Sequence, residues 1–425
     1  MASTDIKNRV QRFYFKKDRP VLFAPPLRAI RDILLIQGRL PGPSQRPSDF
    51  SHHTINAALI VLPLFILSRI FMYAVLGIQA NDFSSHSFIT NLCRWDCVWY
   101  LGMTGGGYQV MPNAINGQAN WAFFPLYPLI AGIIRSAFSL SALTALTVAS
   151  NAAALATGFV AAKILRNRDA LIAFCVLLYF GPLSFYFATG YTESLFVLLT
   201  LACFHVLSKR RYVAVGLLAA LLSATRAVGV MMTVAILIAA LQDHLKEGRS
   251  IQSFPRAVLQ NPQIFFALAT APLGLFVYMG YLYLHLGDAL AFSHVQWAWF
   301  RQPGFPLKIL LEALSTGDLG LFLRDGAFSA RWSALWATLA LILTGYLVIL
   351  RRFPEAVFSF LAIIIPLSTH IMSMPRYAIG LAPLLIIASQ LIASHKLSMR
   401  ISLPALILSN IPLLVLWQSK AVGLA

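Results

Sequence analysis

The sequence predicts an all-α polytopic membrane protein, and three observations predict it. Hydrophobic residues make up 58% of the 425-residue chain, charged residues only 11%, and the mean hydropathy is +0.73. Apolar runs of roughly 20 residues, enough to cross a bilayer as a helix, recur from about Thr54 to the C-terminus. The basic residues fall in short clusters between those runs, where membrane topology puts them. That placement removes the nucleic-acid reading which a net charge of +18 would invite. Membrane lipids are the expected surroundings.

Residues 1–53 read as a basic cytoplasmic tail, with Lys7, Arg9, Arg12, Lys16, Lys17 and Arg19 in its first half; it suits an anionic lipid surface. No secretory leader is expected in so polar a stretch. Residues 54–425 read as the transmembrane domain. Its first span, about Thr54 to Ile78, runs outward and puts an outer loop at 79–140.

That loop carries RWDCVWYLGMTGGGY, Arg94 to Tyr108. Trp95 and Trp99 are four apart, as are Asp96 and Tyr100, so in a helix each pair shares a face. Such a helix would float at the membrane interface on its tryptophans, and Gly105, Gly106 and Gly107 would end it. Cys93 and Cys97 flank Asp96. Four cysteines in all supply no disulfide framework and no zinc-site partners nearby, so these two are expected to pack.

QANWAFFPLYPLIAGIIRSAF follows, with Pro125 and Pro128 against a plain helix. Counted as a span it would put Lys163, Arg166 and Arg168 outside; read as an interfacial or re-entrant segment, Trp121 to Phe138, it keeps them inside. The ordinary span remains the alternative, and it would invert everything downstream. The re-entrant reading places spans near 141–162, 169–188, 192–208, 212–224, 227–241 and 264–286, a second outer loop at 287–331, then spans near 332–350, 354–371, 377–393 and 401–418. The total is roughly eleven. Spans 212–224 and 227–241 are short enough to be tilted or partly inserted. The outer loop 287–331 is of mixed charge and carries Trp297, Trp299 and Phe300.

Four distant stretches bring ionisable groups to the outer ends of spans: Asp96, Glu193 in GYTESLF, Arg226 in SATRAVG, and Arg376 in SMPRYAIG with His370 just before it. Such groups near membrane depth face a cavity or a partner. One reading is two ion pairs, Glu193 with one arginine and Asp96 with the other, stapling helices. The other is a pocket walled by Phe123, Phe124, Tyr127 and Tyr191, taking an anionic head group with a lipid tail. Trp95, Tyr100, Gly107, Tyr108, Pro125 and His370 complete its expected lining. The pocket suits sugar transfer from a lipid-phosphate donor. Asp96 would act as general base on the acceptor hydroxyl, while Arg226 and Arg376 take the phosphate. Glu193, Tyr191 and Tyr377 would orient an arginine or touch the donor. No metal and no cofactor are expected, since no diphosphate departs.

The motifs RWDCVWYLGMTGGGY, WAFFPLYPL, GPLSFYFATGYTESLF, SATRAVG and SMPRY, in that order over about residues 54–395, resemble the PIG-V family. This is the family of the second GPI mannosyltransferase and its bacterial relatives. The resemblance implies a GT-C fold with a catalytic acid in the first outer loop. It implies a dolichyl- or polyprenyl-phosphate mannose donor, no nucleotide-sugar site, and a lipid-linked or glycan acceptor. The family's acid maps onto Asp96, its glycine-tyrosine end onto Gly107 and Tyr108, and its FFP turn onto Phe123 to Pro125. Its Tyr-Glu-Ser segment maps onto Gly190 to Ser194, and its threonine-arginine onto Thr225 and Arg226. Arg94 and Cys97 beside the acid depart from the pattern, and the basic tail lies outside it. The implied location is a bacterial inner membrane, or the ER membrane in a eukaryote, with the site on the periplasmic or luminal side. A different lipid-phosphate sugar, a lipid or solute transporter, and a non-catalytic partner subunit are the competing readings.

Overall fold

The computed structural model describes residues 49–316 and 329–419. Almost all of the predicted tail 1–53, and residues 317–328 of the predicted loop 287–331, lie outside the described residues. Every regular element among the described residues is helical. The described residues open with α1 (Asp49–Ala80), α2 (Ser85–Leu92), α3 (Asp96–Gly106) and α4 (Leu126–Phe138). It continues with α5 (Ala142–Ile164), α6 (Arg168–Tyr179), α7 (Glu193–Leu207), α8 (Tyr212–Ser223) and α9 (Met232–Lys246). Then follow α10 (Phe254–Gln260), α11 (Pro262–Thr270), α12 (Leu273–Leu286), α13 (Ala291–His294) and α14 (Pro306–Ser315). The remainder is α15 (Ala330–Ile349), α16 (Phe353–Leu367), α17 (Met374–Ile379), α18 (Ala382–Ala393) and α19 (Lys396–Gln418).

Helix starts follow local chemistry. Ser84, Ser141, Asn167, Asn261 and Ser329 each cap the helix behind them by accepting a backbone N–H. Six helices are long and apolar enough to cross a membrane: 57–80, 142–164, 227–246, 262–286, 330–349 and 396–418. Five shorter apolar helices (α4, α7, α8, α16 and α18) accompany them. The chain is an integral membrane protein.

Three predicted spans differ in detail. The span expected over 169–188 ends as α6 at Tyr179, where Gly181 and Pro182 break it, and a short 3-10 turn (Ser184–Phe187) follows. The span expected over 377–393 is divided at Gly380, leaving α17 apart from α18. The span expected as short at 227–241 is 20 residues long, because a 3-10 turn (Ala227–Met231) runs into α9.

α5 organises the packing. Its buried face is mostly small, with Ala145, Ala149, Ala153, Ala154, Gly158 and Ala161 around Leu146 and Thr157, so α7 and α1 approach closely. Two apolar clusters result. One gathers α1, α6 and Trp417; the other gathers α4, α7, α8, α9, α15 and α16. Helix α3 lies on the seam, with Cys97 in the first cluster and Tyr100 and Met103 in the second.

Candidate active site

Asp96 opens α3 in a backbone that local sequence alone would not choose. Trp95, just before it, sits at φ +51 and ψ −116. For a residue with a Cβ such a position costs about 1–3 kcal/mol and persists only where surroundings impose it. Here Cys93 and Cys97 form a disulfide, their Cα atoms 5.2 Å apart. The Tyr191 hydroxyl donates to the Arg94 carbonyl at 3.0 Å and accepts the Asp96 N–H at 3.1 Å. The expectation that the two cysteines merely pack is therefore corrected: the turn at Trp95 brings positions four apart into bonding range. Tyr191 is fixed in its turn, its carbonyl accepting Ser150 Oγ at 3.1 Å and its ring edge-on to Tyr186. Burial pushes its phenol well above the ordinary range, so it works as a neutral clamp.

The Asp96 carboxylate pairs with Arg376 of α17. Arg376 Nε also faces Glu193 Oε1 at 3.2 Å, and the same oxygen pairs with Arg226. Arg226 Nε donates to Thr192 Oγ1 at 3.0 Å. Asp96, Glu193, Arg226 and Arg376 thus form one network of two carboxylates and two guanidiniums, neutral in sum. Aromatic rings hold both guanidiniums: Arg376 lies 5.4 Å from the Tyr191 ring and 5.3 Å from Tyr377, and Arg226 lies 5.5 Å from Tyr377.

The structure holds both ion pairs and a cavity beside them. The pairs staple α3, α7, α17 and the turn after α8. Asp96, Arg226, Arg376 and Tyr377 also line a cavity of about 310 Å³, with Tyr100, Phe123 and Phe124 on its wall. Glu193 is fully buried behind that wall.

Several residues expected as lining support the wall instead. Tyr108 donates to the Phe123 carbonyl at 2.8 Å, and Tyr127 to the Leu146 carbonyl at 2.8 Å. Gly107 ends α3 at φ +77, and Pro125 starts α4. His370 Nδ1 accepts the Met372 N–H at 3.1 Å. Trp95, lying before α3 rather than in it, packs into the first cluster, while Trp99 stacks on Phe123 at 5.8 Å; they share no face.

The missing side of the cavity comes from the loop after α12. Phe292, Gln296, Trp299 and Arg301 line it, together with Thr369 after α16. No motif marked them; the only signal was aromatics in a loop. Trp299 seals the corner edge-on to Trp99 at 5.8 Å. A larger cavity of about 830 Å³ lies elsewhere, beside Arg210 and His244. Two of its cations are paired, Arg210 with Asp243 and Arg249 with Glu247, and Lys246 also lines it.

Residues 69–303 match the sequence family described as mannosyltransferase (PIG-V). No curated protein matches the chain. Among solved structures, the Archaeoglobus fulgidus oligosaccharyltransferase tethered with an acceptor peptide aligns at 12% identity and a TM-score of 0.42. That alignment covers 85% of this chain and 55% of the other. The archaeal oligosaccharyltransferase AglB from Archaeoglobus fulgidus, in complex with an inhibitory peptide and a dolichol-phosphate, aligns at 11% identity and 0.43. There the coverage is 85% and 56%. The chain spans about half the length of both.

Proposed function

The chain belongs to the PIG-V mannosyltransferase family and is a membrane glycosyltransferase; from that premise we propose that it moves mannose from polyprenyl- or dolichyl-phosphate mannose to a lipid-linked or glycan acceptor, with inversion. The observation that carries this reading is the pairing of Asp96 with Arg376 on the wall of one cavity.

The acceptor hydroxyl attacks the anomeric carbon while its proton passes to the Asp96 carboxylate. The bond from that carbon to the phosphate oxygen breaks, and the electron pair leaves on the lipid phosphate, which turns from monoanion to dianion. Protonation of Asp96 removes the charge that Arg376 was matched to. A guanidinium charge is thereby released as the second phosphate charge develops, where a cation is worth most. Arg226 supplies further donors to phosphate or sugar, and Tyr377 holds both arginines. Glu193 sets the spacing of the arginines, and Tyr191 positions Asp96 through its backbone. A leaving monophosphate can be met by guanidiniums, so the reaction is read as needing no metal.

The proposed frame is a GT-C fold with eleven crossings. Its basic tail, 1–53, is cytoplasmic, the domain 54–425 holds the membrane part, and the α4 segment lies at the interface. The site would face the periplasm or ER lumen; the Cys93–Cys97 disulfide supports that side, since disulfides persist in oxidising compartments.

The test is transfer of radiolabelled mannose from polyprenyl-phosphate mannose in membranes carrying wild type or Asp96→Asn. Label should appear with wild type and fall by about a hundred- to ten-thousand-fold in the variant. Equal transfer by both would remove Asp96 as base.

A further inference from the structure

We infer that Arg301 holds the phosphate of the lipid-linked donor before the reaction begins. The inference rests on the proposed lipid-phosphate donor and adds a binding residue to that site.

The argument begins with charge. The donor's phosphodiester carries one negative charge into the cavity. The two arginines on the wall are already matched, Arg376 by Asp96 and Glu193, Arg226 by Glu193. Arg301 lines the same cavity and has no carboxylate within ion-pair distance among the described residues. Its contacts are neutral: Nη1 donates to Gln296 Oε1 at 3.1 Å and Nη2 to Ser373 Oγ at 3.4 Å. These partners orient the guanidinium without cancelling its charge, as an anion site requires.

The loop delivers the residue. A 3-10 turn, Val295–Trp299, ends at Phe300 with φ +57, and the chain reverses to bring Arg301 to the cavity. The Gly304 N–H then donates to the Ser368 carbonyl at 2.6 Å and ties the loop to the end of α16.

The charges match at both ends of the reaction. With donor bound, one phosphate charge faces Arg301 and the four-residue network is neutral. After transfer, the phosphate carries two negative charges, Asp96 is protonated, and Arg301 and Arg376 face it together. Arg301 therefore acts on ground-state binding, and Arg376 acts as the leaving group forms.

The experiment uses the full chain in detergent, with Arg301→Ala, Arg301→Gln and Arg301→Lys beside wild type. Binding of a free polyprenyl monophosphate is measured directly, and transfer is measured with varied donor and varied acceptor. Arg301→Ala and Arg301→Gln should weaken lipid-phosphate binding and raise the donor KM by about tenfold or more, the scale of one charge-assisted hydrogen bond. The acceptor KM should stay within about twofold, and Arg301→Lys should recover part of the binding, since a lysine keeps the charge and loses the fork. A thermal melt of each variant guards against misfolding, and Arg301→Lys carries the test where the neutral variants do not fold. Wild-type binding in both neutral variants would overturn the inference, as would wild-type binding in Arg301→Lys where that variant alone folds. Mannose transfer with an unchanged donor KM would overturn it and leave the proposed reaction standing. Absence of mannose transfer by wild type, with lipid-phosphate binding still lost in Arg301→Ala, would remove the sugar assignment and keep the phosphate site.

Discussion

Arg376 answers to two carboxylates at once, and its neighbours explain why the site is sensitive to single residues. Removing it leaves Asp96 and Glu193 short of positive charge; breaking a buried pair this way costs about 3–5 kcal/mol. Arg376→Ala should therefore lower the melting temperature as well as impair donor use, and Arg376→Lys separates the effects by keeping the charge. In the lysine variant, donor kcat/KM should fall while acceptor KM holds; a defect confined to the acceptor would contradict the assigned role. Tyr191→Phe is the finer probe. It deletes the hydroxyl that bridges the Arg94 carbonyl and the Asp96 N–H, two bonds worth about 1 kcal/mol each. The expected loss is about tenfold in kcat with donor KM unchanged; a wild-type kcat would show that the disulfide alone holds Asp96. The four ionisable residues were legible in sequence because a charge at the end of an apolar span, or in a short aromatic loop between spans, is conspicuous. Arg301 was not, because a single arginine in a loop of mixed charge has nothing to mark it.

At the scale of an element, α3 is held at its first turn by disulfide and hydroxyl rather than by a capping side chain. Gly190 takes part from the opposite side. A Cβ built on it would lie 2.7 Å from Cys97 Sγ, and a disulfide sulfur cannot swing away as the tip of a flexible chain can. Gly190→Ala should thus push the start of α3 and with it Asp96. The expected loss of kcat is about ten- to a hundredfold, the scale of an ångström misplacement at a reacting group. Retention of full activity would show that the contact relaxes elsewhere. Cys93→Ser with Cys97→Ser opens the loop and should cost about 2 kcal/mol, the value chain entropy assigns so short a closure. Unfolding in detergent measures it, and a melt equal to wild type would mean the disulfide stabilises nothing. A helix over this stretch was readable from spacing and the terminal glycines. The unusual turn at Trp95 was not, because it exists only where the disulfide and Tyr191 impose it.

For the whole molecule, the prediction with the largest consequence is sidedness. Asn120 would be a poor labelling position, since it is buried and bonded to Gly107 and Gln109. Ile115, 95% exposed on the same loop, serves instead. Cys175 and Cys203 are buried and Cys93 and Cys97 are bonded, so an Ile115→Cys chain should label at the new position alone. An impermeant thiol reagent should reach it from the periplasmic or luminal side; labelling confined to the cytoplasmic side would invert the proposed topology. Helix positions were mostly legible from apolar run length; the breaks at Gly181 and Gly380 were not, because they lie inside otherwise apolar sequence.

The sequence by itself determined the membrane class, the helical architecture and the four charged residues of the network. Each is a local property, a matter of composition and of which residue types stand between and at the ends of apolar runs. Tertiary structure alone decided how those charges pair. Asp96 and Arg376 are 280 positions apart, and only the tertiary fold lets the carboxylate at the start of α3 meet the guanidinium of α17 and, among the described residues, leaves Arg301 without a carboxylate partner. Which cation is spent within the protein and which is free for a ligand depends on distances in space, and run length and motif order do not encode them.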